Sequence, residues 1–349
     1  MRRVLIVTAL CALAPGTATG AARLADDSRV HALAAVPSGA LAVVDSGNPA
    51  APYALIRSSG RTVTRLGSFG GRKAEFPDVA ASGGSASVTW GVPVSGGAIV
   101  RVAAAPGRTG EGFGPTSDPL FGTGPGRLAF GPDAAALLAY PDRSGDVTIA
   151  EVAPPGRSPA APPQAVTSSA PELRHLPLDF ATDFEDTRVL DLVQSRTRSE
   201  LRVIGTGAPR APLLSLRGVQ HPQAQMAAAD GVIAVAYHSS GRVTLALPRG
   251  GGWSHRRLPG AGGGVGAPAP VISGGKVYVV YTQTVRERGR RPQREVFLHG
   301  PGGLKRLTRT AGTESYPFAA AGPGGRVYAG WTHRGGRPST ESARLARIG

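Results

Sequence analysis

The chain has 349 residues, with 39 Lys and Arg against 23 Asp and Glu and a formal net charge of +16. Its 50 glycines and 31 prolines, close to a quarter of all residues, exclude a protein built on long helices, because Gly costs about 1 kcal/mol and Pro about 3 kcal/mol in a helix interior. With 41% hydrophobic residues there is still material for a core, so the composition leaves a turn-dense all-β protein or a low-complexity chain, and periodicity has to separate them.

The N-terminus reads as a signal peptide over residues 1–22. Arg2 and Arg3 form the basic head, Val4 to Ala14 the apolar stretch, and small residues around Ala18 to Ala22 the cleavage region. The apolar stretch is too short to span a bilayer. The single cysteine, Cys11, falls inside it, so the mature chain is expected to be exported and to carry no disulfide, thiolate metal site or cysteine nucleophile.

From residue 23 onward one segment recurs, a short alternating apolar run that often ends in an aromatic. It occupies residues 40–45, 86–90, 135–140, 188–192, 232–237, 277–281 and 326–331. Five copies place an aromatic at one repeat position, as Trp90, Tyr140, Tyr237, Tyr281 and Trp331, where packing between repeats is expected. A weaker run precedes each copy and often begins at a proline, as at Pro77, Pro177, Pro222, Pro270 and Pro317, with a Gly-containing turn between. Two more short runs follow, such as those at 53–57 and 62–66. Four strands per repeat of about 45 to 50 residues is the pattern of a β-propeller blade.

The expected architecture is therefore one all-β domain over 23–349, with about seven four-stranded blades starting near residues 30, 77, 126, 176, 222, 268 and 317; six is the alternative. The last unit offers three strands, ending at 342–348, and residues 22–25 are expected to supply the fourth and close the ring. Residues 153–171, which hold six prolines, and the Gly-rich residues 104–126 read as surface loops.

The segment 303–331 resembles a TolB-type propeller repeat: Leu307-Thr308, then Tyr316-Pro317-Phe318, then Gly322 to Gly325 before an apolar strand ending in Trp331. Gly322-Pro323-Gly324-Gly325 stands where that family has Ser-Pro-Asp-Gly. The 277–281 run resembles the blades of sialidase-like propellers. Their Asp-box, aligned on Trp253, keeps only Gly250 and the Trp. Both resemblances imply a propeller; the second implies a glycosidase or lyase with converging arginines, a tyrosine and two carboxylates at the channel mouth.

No complete catalytic motif, metal-ligand spacing or nucleotide loop is present, and neither a metal nor a cofactor is expected. The seven histidines stand singly and read as surface or half-buried residues. Asp179, Asp183, Glu185, Asp186 and Asp191 read as a solvated acidic turn. Propeller topology puts the loops between the second and third strands on one face, together with the loops between blades. That face collects Arg143, Arg196, Arg198, Arg286, Arg288, Arg290, Arg291, Arg294, Arg334 and Arg337, with His238 and His333. A basic rim suits an acidic glycan, a cell-wall polymer or an acidic protein, because Arg binds carboxylate and phosphate bidentately. The same excess also follows from an alphabet with three lysines and one asparagine, and both readings stand. Asp78, Asp179, His221, Gln223 and Tyr316 are expected on the same face, toward the channel. Export argues against nucleic acid, and a monomer is the expectation.

Overall fold

The computed structural model describes residues 21–60, 62–105, 113–131, 134–152, 161–168, 172–183, 186–205, 207–260, 264–289, 291–335 and 341–348. Residues 1–20, nearly all of the expected signal peptide, and most of the proline-rich segment lie outside the described residues.

Seven four-stranded antiparallel sheets make up the fold. Blades I to VI span residues 30–69, 75–122, 127–165, 174–217, 224–257 and 269–306, with the strands of each in simple consecutive order. Blade VII takes three strands from 313–348, and its outer strand is Ala22–Asp26. The alternative of six blades is excluded, because the unit at 174–217 is a regular sheet like the others. Closure runs through Ala22↔Leu345, Arg23↔Arg344, Ala25↔Ala343 and Asp26↔Ser342.

Both segments read as loops contribute an outer strand. In blade II it is Leu120–Gly122, paired with the third strand (Gly97–Ala104). In blade III it is the two-residue Gln164–Ala165, paired with Val147–Glu151. An outer strand packs on one side only, so it needs little apolar patterning and leaves a weak sequence signal.

The core is divided among the seams. Seven hydrophobic clusters form, each drawing on two neighbouring blades. The recurring aromatics Trp90, Tyr140, Tyr237, Tyr281 and Trp331 are all buried there. At the I–II seam, for example, Phe69 and Trp90 meet with ring centroids 5.6 Å apart. Because each sheet is covered on both faces, alanines such as Ala42, Ala139 and Ala234 sit fully buried between bulkier neighbours.

Closure depends on Leu24, buried against Val30, Ile56, Tyr328 and Leu345 at the VII–I seam. Leu24→Ala is expected to lower unfolding free energy by about 2–4 kcal/mol. Urea denaturation checks it: the midpoint falls while the slope is retained.

Candidate functional site

The inner strands set up the site. In blades I, II, IV and VII their pairing with the second strand shifts register, between Val30/Ala32, Glu75/Asp78, Pro177/Asp179 and Ser315/Phe318. Proline has no N–H for a ladder bond, so Pro77, Pro177 and Pro317 favour a bulge where they occur. The bulges turn Asp78 and Asp179 toward the axis.

A channel cavity of about 390 Å³ opens there, with residues of all seven blades in its wall. Its polar groups are His31, Asp78, Arg127, Asp179, Gln223 and Gln225. The two carboxylates are placed alike. Asp78 Oδ1 accepts the N–H of Val79 at 2.8 Å and Oδ2 that of Leu128, in the next blade, at 3.1 Å. Asp179 Oδ1 accepts the N–H of Phe180 at 2.9 Å and Oδ2 that of Met226, again in the next blade, at 2.7 Å. Each carboxylate thus clasps two blades. Arg127, from the blade between them, lines the same cavity, and its Nε is buried without a hydrogen-bond partner.

Burial is the main influence on both acids and pushes their pKa values up. For Asp78 the Arg127 charge and the two backbone N–H groups pull the other way. Asp179 rises to about 6; the nearby Asp78 charge adds to the rise, while the Met226 N–H, Arg127 and the Phe180 N–H oppose it.

Two aromatics mark the rim. Phe76 and Tyr316, each directly before a proline, have φ of 51° and are 50% and 40% exposed. A left-handed aromatic costs on the order of 1–2 kcal/mol. Tyr316 is held there by its N–H, which donates to the Val265 carbonyl at 2.9 Å. Gly266, at φ 90°, makes room, since a Cβ on it would lie 2.5 Å from the Tyr316 Cα.

Of the residues singled out in the sequence, Asp78, Asp179 and Gln223 line the channel. Tyr316 and His221 are exposed and stand outside its lining. The arginines divide. Arg196, Arg286, Arg288 and Arg291 are exposed and make no ion pair among the described residues. Arg198 pairs with Glu200 at 2.6 Å, and Arg334 donates through Nε to Glu341 at 2.9 Å. Arg143 stacks over Phe121 at 5.0 Å. Arg294 is half-buried, where burial lowers its pKa and the neighbouring Tyr316 opposes this. Arg290 and Arg337 lie outside the described residues.

The acidic segment departs from a solvated turn. Asp191 is 0% exposed and bonded to His175, and Asp183 is buried, accepting the Gly231 N–H at 2.7 Å. The histidines depart too, since His175 and His299 are buried. His31 contacts Asp45 at 2.7 Å, His333 contacts Glu314 at 3.0 Å, and His238 donates to the Gly266 carbonyl at 3.1 Å. Sequence reasoning missed Arg127 and His31 as channel residues, because each is a lone residue whose neighbours come from other blades. Among the described residues no group of three or more His, Cys, Asp or Glu could hold a metal ion, and no helix is long and apolar enough to cross a membrane.

No protein-family model matches this chain, and no curated protein matches it. Among solved structures it is similar to AofleA from Arthrobotrys oligospora, at 11% identity and a TM-score of 0.49 over 84% of this chain and 89% of that one. It is also similar to the PQQ-bound aldose sugar dehydrogenase of Streptomyces coelicolor, at 18% identity and 0.46 over 84% and 100%. A third is the subtype N10 neuraminidase-like protein of A/little yellow-shouldered bat/Guatemala/060/2010, at 9% and 0.45 over 97% and 100%.

Asp179 couples the channel to pH. Its unfolded carboxyl titrates near 3.8 and its folded one at about 6, so the folded state holds the proton more tightly. This contribution to stability is complete below about pH 4 and is lost as pH rises through 6, by on the order of 3 kcal/mol. Asp179→Asn is expected to flatten that part of a stability-versus-pH profile measured by chemical denaturation.

Proposed function

We propose that this chain is an exported, non-enzymatic propeller that binds an anionic ligand through the face carrying the channel mouth. The ligand is an acidic glycan, a cell-wall polymer or an acidic protein surface. One observation carries the reading: Arg286, Arg288 and Arg291 stand exposed on a single blade VI loop and make no ion pair among the described residues. The strand that follows this loop presents half-buried Arg294 beside the exposed ring of Tyr316. Unpaired guanidiniums offer planar donor forks to carboxylate or phosphate, and an exposed ring at a fixed backbone angle offers a stacking surface.

A glycosidase would need one acid to hand a proton to the leaving group and a second to act as base or nucleophile. Asp78 and Asp179 are poor candidates, since both oxygens of each already accept a main-chain N–H, Oδ1 from the following residue and Oδ2 from the next blade. Moving either one to serve a substrate would break an inter-blade contact. That supports binding over catalysis at the channel mouth. Export agrees with a chain whose only cysteine lies in the leader.

Polygalacturonate serves as the probe, titrated at low and moderate salt with dextran as the neutral control. Binding is expected to weaken steeply with salt. The triple charge reversal Arg286→Glu, Arg288→Glu and Arg291→Glu is expected to reduce it by roughly tenfold or more. Unchanged affinity in the triple variant overturns the arginine-face reading, and release of reducing ends from the polymer would mark an enzyme instead.

A further inference from the structure

The seam between blades III and IV differs from the other six. Among the described residues its buried core is the smallest, reduced to Ala129, Ala139, Val147, Phe180 and Val189. On the loop-bearing face the gap widens into a cleft of about 450 Å³. Its apolar wall comprises Val166, Leu173, Val193 and Ile204. Among the described residues its polar wall comprises Thr167, Ser168, Ser195, His175 and the triplet Arg198, Glu200 and Arg202.

His175 is the unusual member. Its side chain is 8% exposed, and Nδ1 lies 2.5 Å from Oδ2 of Asp191, a fully buried carboxylate. Oδ1 of Asp191 accepts the Leu176 N–H at 3.1 Å, so the acid is held from both sides. A carboxylate accepts, so Nδ1 carries the proton and the ring orientation is fixed. Nε2, on the opposite edge of the ring, has no hydrogen-bond partner among the described residues. In either protonation state a buried ring nitrogen without a partner is costly, whether as a lone pair lacking a donor or as an N–H lacking an acceptor.

The triplet supplies charge. Arg198 contacts Glu200 Oε1 at 2.6 Å, and Arg202 Nε donates to Oε2 at 2.8 Å. Two guanidiniums share one carboxylate, which leaves one net positive charge at the lip of the cleft, and both arginines are exposed on their outer side.

We propose that this cleft is a binding site for a small organic acid with an apolar body and a hydroxyl group. The acid sits against Arg198 and Arg202, the body fills the apolar wall, and the hydroxyl satisfies His175 Nε2. A cleft of this size falls in the range of small-ligand sites, with few polar groups set among apolar ones. The site is independent of the polyanion reading, whose arginines lie on blade VI.

The test uses the full chain and three probes: 4-hydroxyphenylacetate, phenylacetate, which lacks the hydroxyl, and 4-hydroxyphenylacetamide, which lacks the charge. Titration calorimetry is expected to show saturable binding of the first and roughly fivefold or weaker binding of the other two. His175→Asn keeps a donor toward Asp191 but has no Nε2, and it is expected to bring 4-hydroxyphenylacetate down to the level of phenylacetate. Should that variant fail to fold, the ring nitrogens of His175 in the unaltered protein decide, because binding is expected to move their NMR signals. Absence of saturable binding by 4-hydroxyphenylacetate, equal affinity for all three probes, or binding that leaves the His175 signals in place overturns the proposal.

Discussion

The fold depends on a packing constraint: each four-stranded sheet has two apolar faces, and both must be covered by neighbours. One blade cannot meet that need, and neither can an open row, since its end sheets would face water. A closed ring meets it with seven seams, each with its own buried cluster. Pairing Ala22–Asp26 onto Glu341–Ile348 makes blade VII from both ends of the domain and ties the last sheet to the first. The modest size of the side chains, and the scarcity of aromatics at 5%, follow from sheets packed on both sides.

The polar groups of the channel answer to the same constraint. Seven inner strands converge at the axis, where apolar packing thins and main-chain N–H groups need acceptors. Asp78 and Asp179 supply them across the II–III and IV–V seams, at the cost of burying two carboxylates near one arginine. The polar channel is therefore part of what holds the blades in register.

The sequence made the blades legible because inner-face residues alternate and Gly-containing turns recur at a near-constant spacing. The observed blades begin within a few residues of the expected positions, and the inter-blade aromatics are buried as the repeat position implied. The short outer strands at Leu120–Gly122 and Gln164–Ala165 were not legible, because an outermost strand buries little and its pairing is a main-chain matter. The acidic residues from 179 to 191 misled for a related reason. Charge density along the chain says nothing of which carboxylate meets a histidine or an amide of the next strand or blade, and that is what buries Asp179, Asp183 and Asp191.

The sequence by itself determined the all-β class and the closing of the ring and narrowed the blade count to seven or six, since periodicity and turn chemistry are local properties that a linear chain records. Strand order decides which loops share an end, and on that ground the sequence led to the expectation of a basic face. Only the tertiary structure decided which of those arginines are free and which are spent on Glu200 or Glu341, and that Arg127 lies between two buried acids. It alone left His175 Nε2 without a partner among the described residues of the III–IV seam. These are meetings of residues from different strands and blades, set by sub-ångström packing that a repeat pattern along the chain does not encode.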